Sequence, residues 1–387
     1  MIETKFKDWH NVTIGNLGST YNGLTGKKAS DFGHGVAKYV PFINVIYNPI
    51  IDVNSLCCVD VKPSEYQNAV IKGDLLFNTS SETPEEVAMC SYVDTDIQNL
   101  YLNRFCFGFR LNDSNVSGLF LSYLFRSKFG RSLMLELAQG STRYNLQKKK
   151  FLQAELHIPQ ILAEQERIAE ALSDVDALIK ELDALIHKKR MVLKATMQDL
   201  LTARRRLPGF SEPWKEVKLG EIAKISKGQS LQSCDFINGP YPVIAGGMSP
   251  QGYHKYYNRE ENTITISASG ANAGYVALWK SNIFATDCST IETVDRYVIE
   301  FMYFALKNIQ IIIYKSQIGG AQPHIYPKEL NKLHILFTED ISEQRAIAEI
   351  LSDMDAEIAE LEKKKEKYTS IRQGMMQQLL TGKIRLI

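Results

Sequence analysis

None of the six cysteines, Cys57, Cys58, Cys90, Cys106, Cys234 and Cys288, falls in a C-x-x-C pair, so neither a zinc site nor a disulfide framework is indicated. The seven histidines are scattered, with no H-x-x-x-H spacing and no pairing with a Ser or Cys nucleophile. No apolar run approaches the ~18–20 residues that a membrane span needs. The densest, Ile309 to Tyr314, is a strand-length segment. The opening Met1-Ile-Glu-Thr-Lys5 lacks the apolar centre of a signal peptide, which predicts a soluble, cytoplasmic protein with no membrane partner. Charge of one sign is missing too. Lys and Arg number 45 against 44 Asp and Glu, and no segment is strongly basic, so any nucleic-acid binding must use local patches or a basic partner.

Familiar chemical motifs are equally absent. Gly23-Leu-Thr-Gly-Lys-Lys28 lacks the Walker spacing that cradles phosphate. Tyr47-Asn-Pro-Ile50 lacks the second proline and the aromatic with which adenine methyltransferases hold a flipped base, and no glycine-rich cofactor loop precedes it. Asp60-Val-Lys62 has no upstream acid to complete a two-metal nuclease site. These gaps predict a chain that is not an enzyme and has no catalytic residue, metal or cofactor of its own.

What is present is a repeat. Glu164-Gln-Glu-Arg-Ile-Ala-Glu-Ala-Leu-Ser-Asp-Val-Asp-Ala177 returns 179 residues later as Glu343-Gln-Arg-Ala-Ile-Ala-Glu-Ile-Leu-Ser-Asp-Met-Asp-Ala356. The alignment runs without a gap to Leu207 and Leu386 and ends on Leu200-Leu-Thr202 and Leu379-Leu-Thr381. The same offset matches Gly140-Ser-Thr-Arg-Tyr-Asn-Leu146 with Gly319-Gly-Ala-Gln-Pro-His-Ile325. It also matches the alternating apolar trios Ala154, Leu156, Ile158 and Leu333, Ile335, Phe337. A different offset, 205, relates Trp9-x-x-Val12-x-Ile14-Gly15 to Trp214-x-x-Val217-x-Leu219-Gly220, so the globular parts differ in length.

The repeated tails are predicted helices. Ile168, Leu172, Val175, Ile179, Leu182 and Ile186 step by 4, 3, 4, 3, 4, and Ile347, Leu351, Met354, Ile358 and Leu361 step in the same way. One narrow apolar stripe needs a partner, and the nearest is the other copy, which predicts an intramolecular antiparallel coiled coil with the globules at opposite ends. A packing helix has no evident need to repeat Glu164-Gln165 or Leu200-Leu201-Thr202, so these read as surface residues meeting the same kind of partner twice.

The remainder alternates short apolar runs with turn residues. Val40–Tyr47, Asp74–Asn78, Phe105–Arg110, Tyr241–Ala245, Asn262–Ser267 and Tyr275–Trp279 read as strands, and Ser117–Leu137 and Tyr297–Ile311 as helices. The predicted fold is α+β: two mixed α/β globules, 1–160 and 208–340, alternating with two long helices, 161–207 and 341–387, in an internal pseudo-two-fold repeat.

In this order of parts the chain resembles the specificity (S) subunits of type I restriction–modification systems, over essentially its whole length. Leu162-Ala-Glu-Gln-x-Arg-Ile168 and Ile341-Ser-Glu-Gln-x-x-Ile347 at the helix starts, the Leu-Leu-Thr ends, the Trp-x-x-Val-x-Leu-Gly opening and Gly-Gly-Ala-Gln-Pro-His-Ile carry the resemblance. It implies that each globule is a target-recognition domain reading one half of a bipartite double-stranded DNA target. The paired helices would set the spacing and dock two modification (methyltransferase) subunits, with restriction (endonuclease and translocase) subunits added in the full complex. S-adenosylmethionine, ATP and Mg would then belong to those partners.

Side chains able to discriminate base edges or hold phosphate nominate the DNA contacts. In the first globule they are Arg143, Tyr144, Asn145 and Lys148, then Asn78, Thr79 and Ser80, then Lys27 and Lys28. In the second they are Gln322 and His324, then Ser267, Ser269 and Asn272, then Lys227 and Gln229, with Tyr253 and Lys255 placed to stack or meet phosphate. The competing expectation is a non-enzymatic coiled-coil scaffold whose globules bind proteins rather than DNA.

Overall fold

Pro41 decides where one strand stops. It holds φ at −71° as the N-cap of a short helix, Phe42–Tyr47, so the segment Val40–Tyr47 expected as a strand is strand only at its first residue. Asn44 then fastens that helix, its Oδ1 accepting from the Asp52 amide and its Nδ2 donating to Asp52 O, each at 2.9 Å. Of the strand-length run Ile309–Tyr314, all but the N-cap Ile309 is likewise helical, within Gln310–Lys315. The computed structural model describes residues 8–320 and 322–386. The Met1-Ile-Glu-Thr-Lys5 opening and Ala321 of the repeated glycine stretch lie outside the described residues. No described helix is long and apolar enough to cross a membrane.

The chain divides into two compact units, 1–181 with 365–387, and 182–364. In the first, an antiparallel sheet runs in the order Gly18–Asn22, Cys106–Leu111, Leu75–Asn78, Cys90–Tyr92. Its strands bury Leu75, Phe77, Phe107 and Phe109 completely against Phe120, Tyr123 and Phe125 of the helix Gly118–Arg126. Phe77, Phe107, Phe125 and Phe151 pack ring to ring at 5.2–6.0 Å. Such pairs are each worth about 0.5–1.5 kcal/mol beyond area burial. Ser127, whose Oγ accepts from the Gly130 amide, starts a second helix, Lys128–Leu137, where one continuous helix was expected. A smaller sheet sets Phe32–Val40 antiparallel to Cys57–Val59 and parallel to Leu100–Leu102. Trp9–Thr13 pairs with Glu155–Pro159 just before the long helix.

The second unit repeats this plan strand for strand. Its main sheet runs Ile225–Lys227, Cys288–Ile291, Thr263–Ser267, Val276–Trp279, again antiparallel. Tyr241–Ile244 lies antiparallel to Gly252–His254 and parallel to Phe284–Ala285, and Lys215–Lys218 pairs with His334–Phe337. The helices Ile299–Asn308 and Gln310–Lys315 correspond to the broken pair of the first unit.

The long helices are Leu162–Leu201 and Ile341–Leu379. Asp340 starts the second, its Oδ1 accepting from the Ser342 and Glu343 amides. In both units the helices run antiparallel. In the first unit Arg372 pairs with Asp176, whose Oδ2 also accepts from Tyr123 Oη at 2.9 Å. In the second, Lys189 bonds Glu357 at 2.8 Å and Arg190 pairs with Glu362. The seam is buried at Ile168, Leu172, Leu182, Ile186, Ile347, Leu351 and Ile358, and half-buried at Val175, Ile179, Met354 and Leu361. Ile168 and Leu172 also belong to the first unit's core, and Ile347 and Leu351 to the second's.

One expectation is overturned. Glu164, Gln165, Glu343 and Gln344 are not surface residues; all four are 2% exposed or less. Arg385 forks onto Glu164, while Arg206 forks onto Glu343 at 2.7 and 2.9 Å, with Trp214 Nε1 adding a third donor at 3.0 Å. Gln165 Oε1 accepts from the Ser117 amide and Gln344 Oε1 from the Val298 amide, the same tie to the following helix in each unit. Leu379 and Leu380 fill the first unit's core and Leu200 and Leu201 the second's. These residues repeat because the end of each long helix closes onto the start of the other, not because a partner meets them.

Candidate nucleic-acid interface

Two segments far apart in sequence come together in each unit as a short ribbon. In the first, Ser80–Ser81 pairs with Tyr144–Leu146, which pairs with Ala138–Gln139; Asn145 faces Ser80 on one side and Gln139 on the other. In the second, His324 bridges Ser269 on one side and Ile318 on the other. The backbone bonds correspond: the Leu146 amide donates to Thr79 O and the Ile325 amide to Ala268 O, both at 2.9 Å. Both ribbons turn through a glycine of positive φ, Gly140 at 129° and Gly319 at 98°. A Cβ at Gly140 would sit 2.1 Å from Arg143 O, and one at Gly319 2.8 Å from Gln322 O, so both turns require glycine. The repeated glycine of the sequence is therefore a turn that presents the following residues.

The ribbons sort the nominated side chains. Arg143 and Asn145 are exposed and Tyr144 half-buried; Arg143 Nε donates to Ser80 Oγ at 3.1 Å, and Asn145 Nδ2 donates to Arg143 O at 3.1 Å. Thr79 is half-buried, its amide donating to Phe105 O. Asn78 is different: it is fully buried, donating to Ser80 O and Glu86 O and accepting from the Met89 amide. That side chain shapes the turn and has nothing left for a base. Lys148 donates to Asn22 Oδ1 at 2.6 Å and lies 5.1 Å from the Phe107 ring, and burial holds its ammonium below the usual lysine range. Lys27 is also committed, buried against Asp60 O and Glu65, while Lys28 beside it is exposed.

In the second unit Gln322 is exposed and His324 half-buried, the latter stacked on Tyr326 with ring planes 5° apart. Ser269 and Asn272 are half-buried; Ser267 is buried, donating to Gly246 O, and so is structural. Lys227 and Gln229 are exposed on a separate edge, near Arg259 and Ala285. Tyr253 and Lys255 are exposed on the smaller sheet, Lys255 lying 5.6 Å from the Tyr256 ring.

Three ribbon residues escaped the sequence reading. Phe105, 43% exposed, lies between Arg104 at 4.6 Å and Arg143 at 5.9 Å, a cationic–aromatic surface able to meet phosphate or a base face. Its position at a strand start gave it the look of core. Asp287, exposed in the second unit, accepts from Ser269 Oγ. No spacing pattern links residues 18 apart on separate loops.

A framework built twice, each time presenting exposed donors and acceptors on a glycine-turned ribbon, defines a two-headed recognition protein. The family profile described as "Type I restriction modification DNA specificity domain" matches residues 6–188 and again 211–368. The chain therefore belongs to the type I restriction–modification DNA specificity family, and it is a DNA sequence-recognition subunit. A Mycoplasma genitalium protein named provisionally as the type I specificity subunit S.MgeORF438P is 23% identical over 78% of this chain and 82% of its own. The crystal structure of the type I restriction–modification S subunit from M. genitalium matches with a TM-score of 0.71 at 20% identity, covering 98% of both chains. A chain from a solved type I restriction–modification assembly matches with a TM-score of 0.51 at 17% identity, over 97% of this chain and 98% of that one.

Proposed function

We propose that each ribbon reads one half of a bipartite duplex target. The first would use Arg143, Asn145 and the Arg104–Phe105 surface, and the second Ser269, Gln322 and His324. Lys28, Lys227, Gln229, Tyr253 and Lys255 would meet phosphate and sugar. The observation that carries this is the duplication of one ribbon geometry with unlike exposed side chains, as two readers of different sequences require. Base edges in the major groove offer distinct donor and acceptor patterns, and loops of this size can enter it. The helix lengths set the spacer, since major-groove sites on one DNA face recur about every 34 Å.

The chain works with other restriction–modification subunits and DNA. We further propose that two modification subunits dock along the helices, that restriction subunits join them, and that methyl transfer with S-adenosylmethionine and ATP- and Mg-dependent cleavage lie with those partners. The scaffold reading is disfavoured by the family match over both globules. Exchanging residues 1–160 for the equivalent globule of a relative tests the proposal: one half of the methylated site should change, leaving the other half and the spacer intact. Change in both halves would overturn the independent readers.

A further inference from the structure

The two ribbons hold a serine at the same register: Ser80 opposite Asn145, and Ser269 opposite His324. What each serine holds differs in sign. Ser80 Oγ accepts from the guanidinium of Arg143, whereas Ser269 Oγ donates to the carboxylate of Asp287. We propose that the opposite charge engaged by the ribbon serine, a guanidinium in one unit and a carboxylate in the other, sets opposite hydrogen-bonding polarity in the two heads. Arg143 would demand a guanine in the half-site read by the first unit. Asp287 would demand a base with a major-groove amino group, cytosine or adenine, in the half-site read by the second.

The inference rests on the ribbons being the DNA-reading surfaces. With Nε held by Ser80, the exposed Arg143 keeps both terminal nitrogens for the fork that fits guanine O6 and N7. In Asp287 the serine engages Oδ2, and the exposed carboxylate keeps acceptor sites turned to solvent. An ionised carboxylate offers no donor, so it repels phosphate and the O6/N7 edge of guanine and is satisfied only by an amino group. Its presence on the serine that pairs with His324 therefore carries sequence information that a phosphate-binding residue would not. The ribbon serines act as positioning residues, fixing one charged group each.

The test uses the chain assembled with its modification subunits, on a duplex library randomised in both half-sites, with bound and methylated sequences read out. Asp287→Asn, nearly isosteric, should relax one base-pair position in one half-site by roughly 5- to 150-fold, and leave the other half-site alone. Arg143→Gln should relax one guanine position in the opposite half-site by a similar factor. Unchanged preference in Asp287→Asn overturns the inference. So does a uniform loss of affinity in Arg143→Gln with a shallower salt dependence, the signature of a phosphate contact. Asn145→Ala and His324→Ala separate the two levels. If they shift specificity and Asp287→Asn does not, only the polarity assignment fails; if none of the four variants shifts it, the ribbons are not the reading surface.

Discussion

Arg206→Met should cost the second unit about 3–5 kcal/mol, the usual penalty for breaking a buried ion pair from one side. Glu343 is completely buried and receives three donors: Arg206 Nε at 2.7 Å, Arg206 Nη2 at 2.9 Å and Trp214 Nε1 at 3.0 Å. Removing the fork leaves an ionised carboxylate out of water with one neutral donor. Methionine keeps most of the stem volume, so the loss measures charge and hydrogen bonds rather than a cavity. Adding Glu343→Gln neutralises the orphaned carboxylate while keeping an acceptor for Trp214, and should restore at least half of the loss, giving a coupling of about 2 kcal/mol or more. Arg206→Lys should fall between, because an ammonium cannot supply the fork. Urea unfolding followed by tryptophan fluorescence suits the site, since Trp214 bonds Glu343 directly. A loss below about 1 kcal/mol in Arg206→Met, or no recovery in the double variant, would refute the account of why these residues are repeated.

Leu172→Asp and Leu351→Asp each put a charge into a fully buried seam position and should cost several kcal/mol, abolishing assembly with the modification subunits in pull-down experiments. Gly140→Ala forces a Cβ onto Arg143 O and should distort the ribbon at about 1–3 kcal/mol of local strain, lowering specificity in one half-site in a binding assay while leaving helix content by circular dichroism intact. Burial, and then His10, hold His157 below the usual imidazole range. The unfolded chain therefore takes up that proton first as pH falls, so the Trp9–Thr13 and Glu155–Pro159 pairing should weaken below about pH 6.5. His157→Gln should remove that part of the acid sensitivity in melting curves at pH 5 and 7.5.

Much of the architecture was legible because it is periodic or repeated. Heptad steps marked the long helices, and alternation at Leu156 and Ile158 marked the strand before the first. The errors came where local chemistry overrode pattern. Val40–Tyr47 has the apolar density of a strand, yet Pro41 and the Asn44–Asp52 bonds turn it into a helix. Glu164-Gln165 looked like surface because charged residues are rarely buried unpaired, and the pairing arginine is 221 residues away. The candidate site was half legible. Gly140 to Asn145 and Gly319 to His324 were visible as repeated loops, but which nominated side chain was free to act was not. Asn78, Ser267 and Lys27 have the right chemistry and spend it inside the protein, whereas Asp287 and Phe105 reach the ribbon only through contacts with residues distant in sequence, Ser269 and Arg143.

The closure of each long helix onto the start of the other has a consequence for biosynthesis. The second unit is one uninterrupted stretch, 182–364, so every residue of its core has been synthesised once that stretch is made. The first unit, begun earlier, must wait for Met376, Leu379, Leu380 and Arg385, which are translated after the whole of the second, and until then the Glu164 carboxylate has no arginine to meet. The head begun first is thus completed after the other, and truncation before Met376 would cripple the earlier reader while sparing the later one.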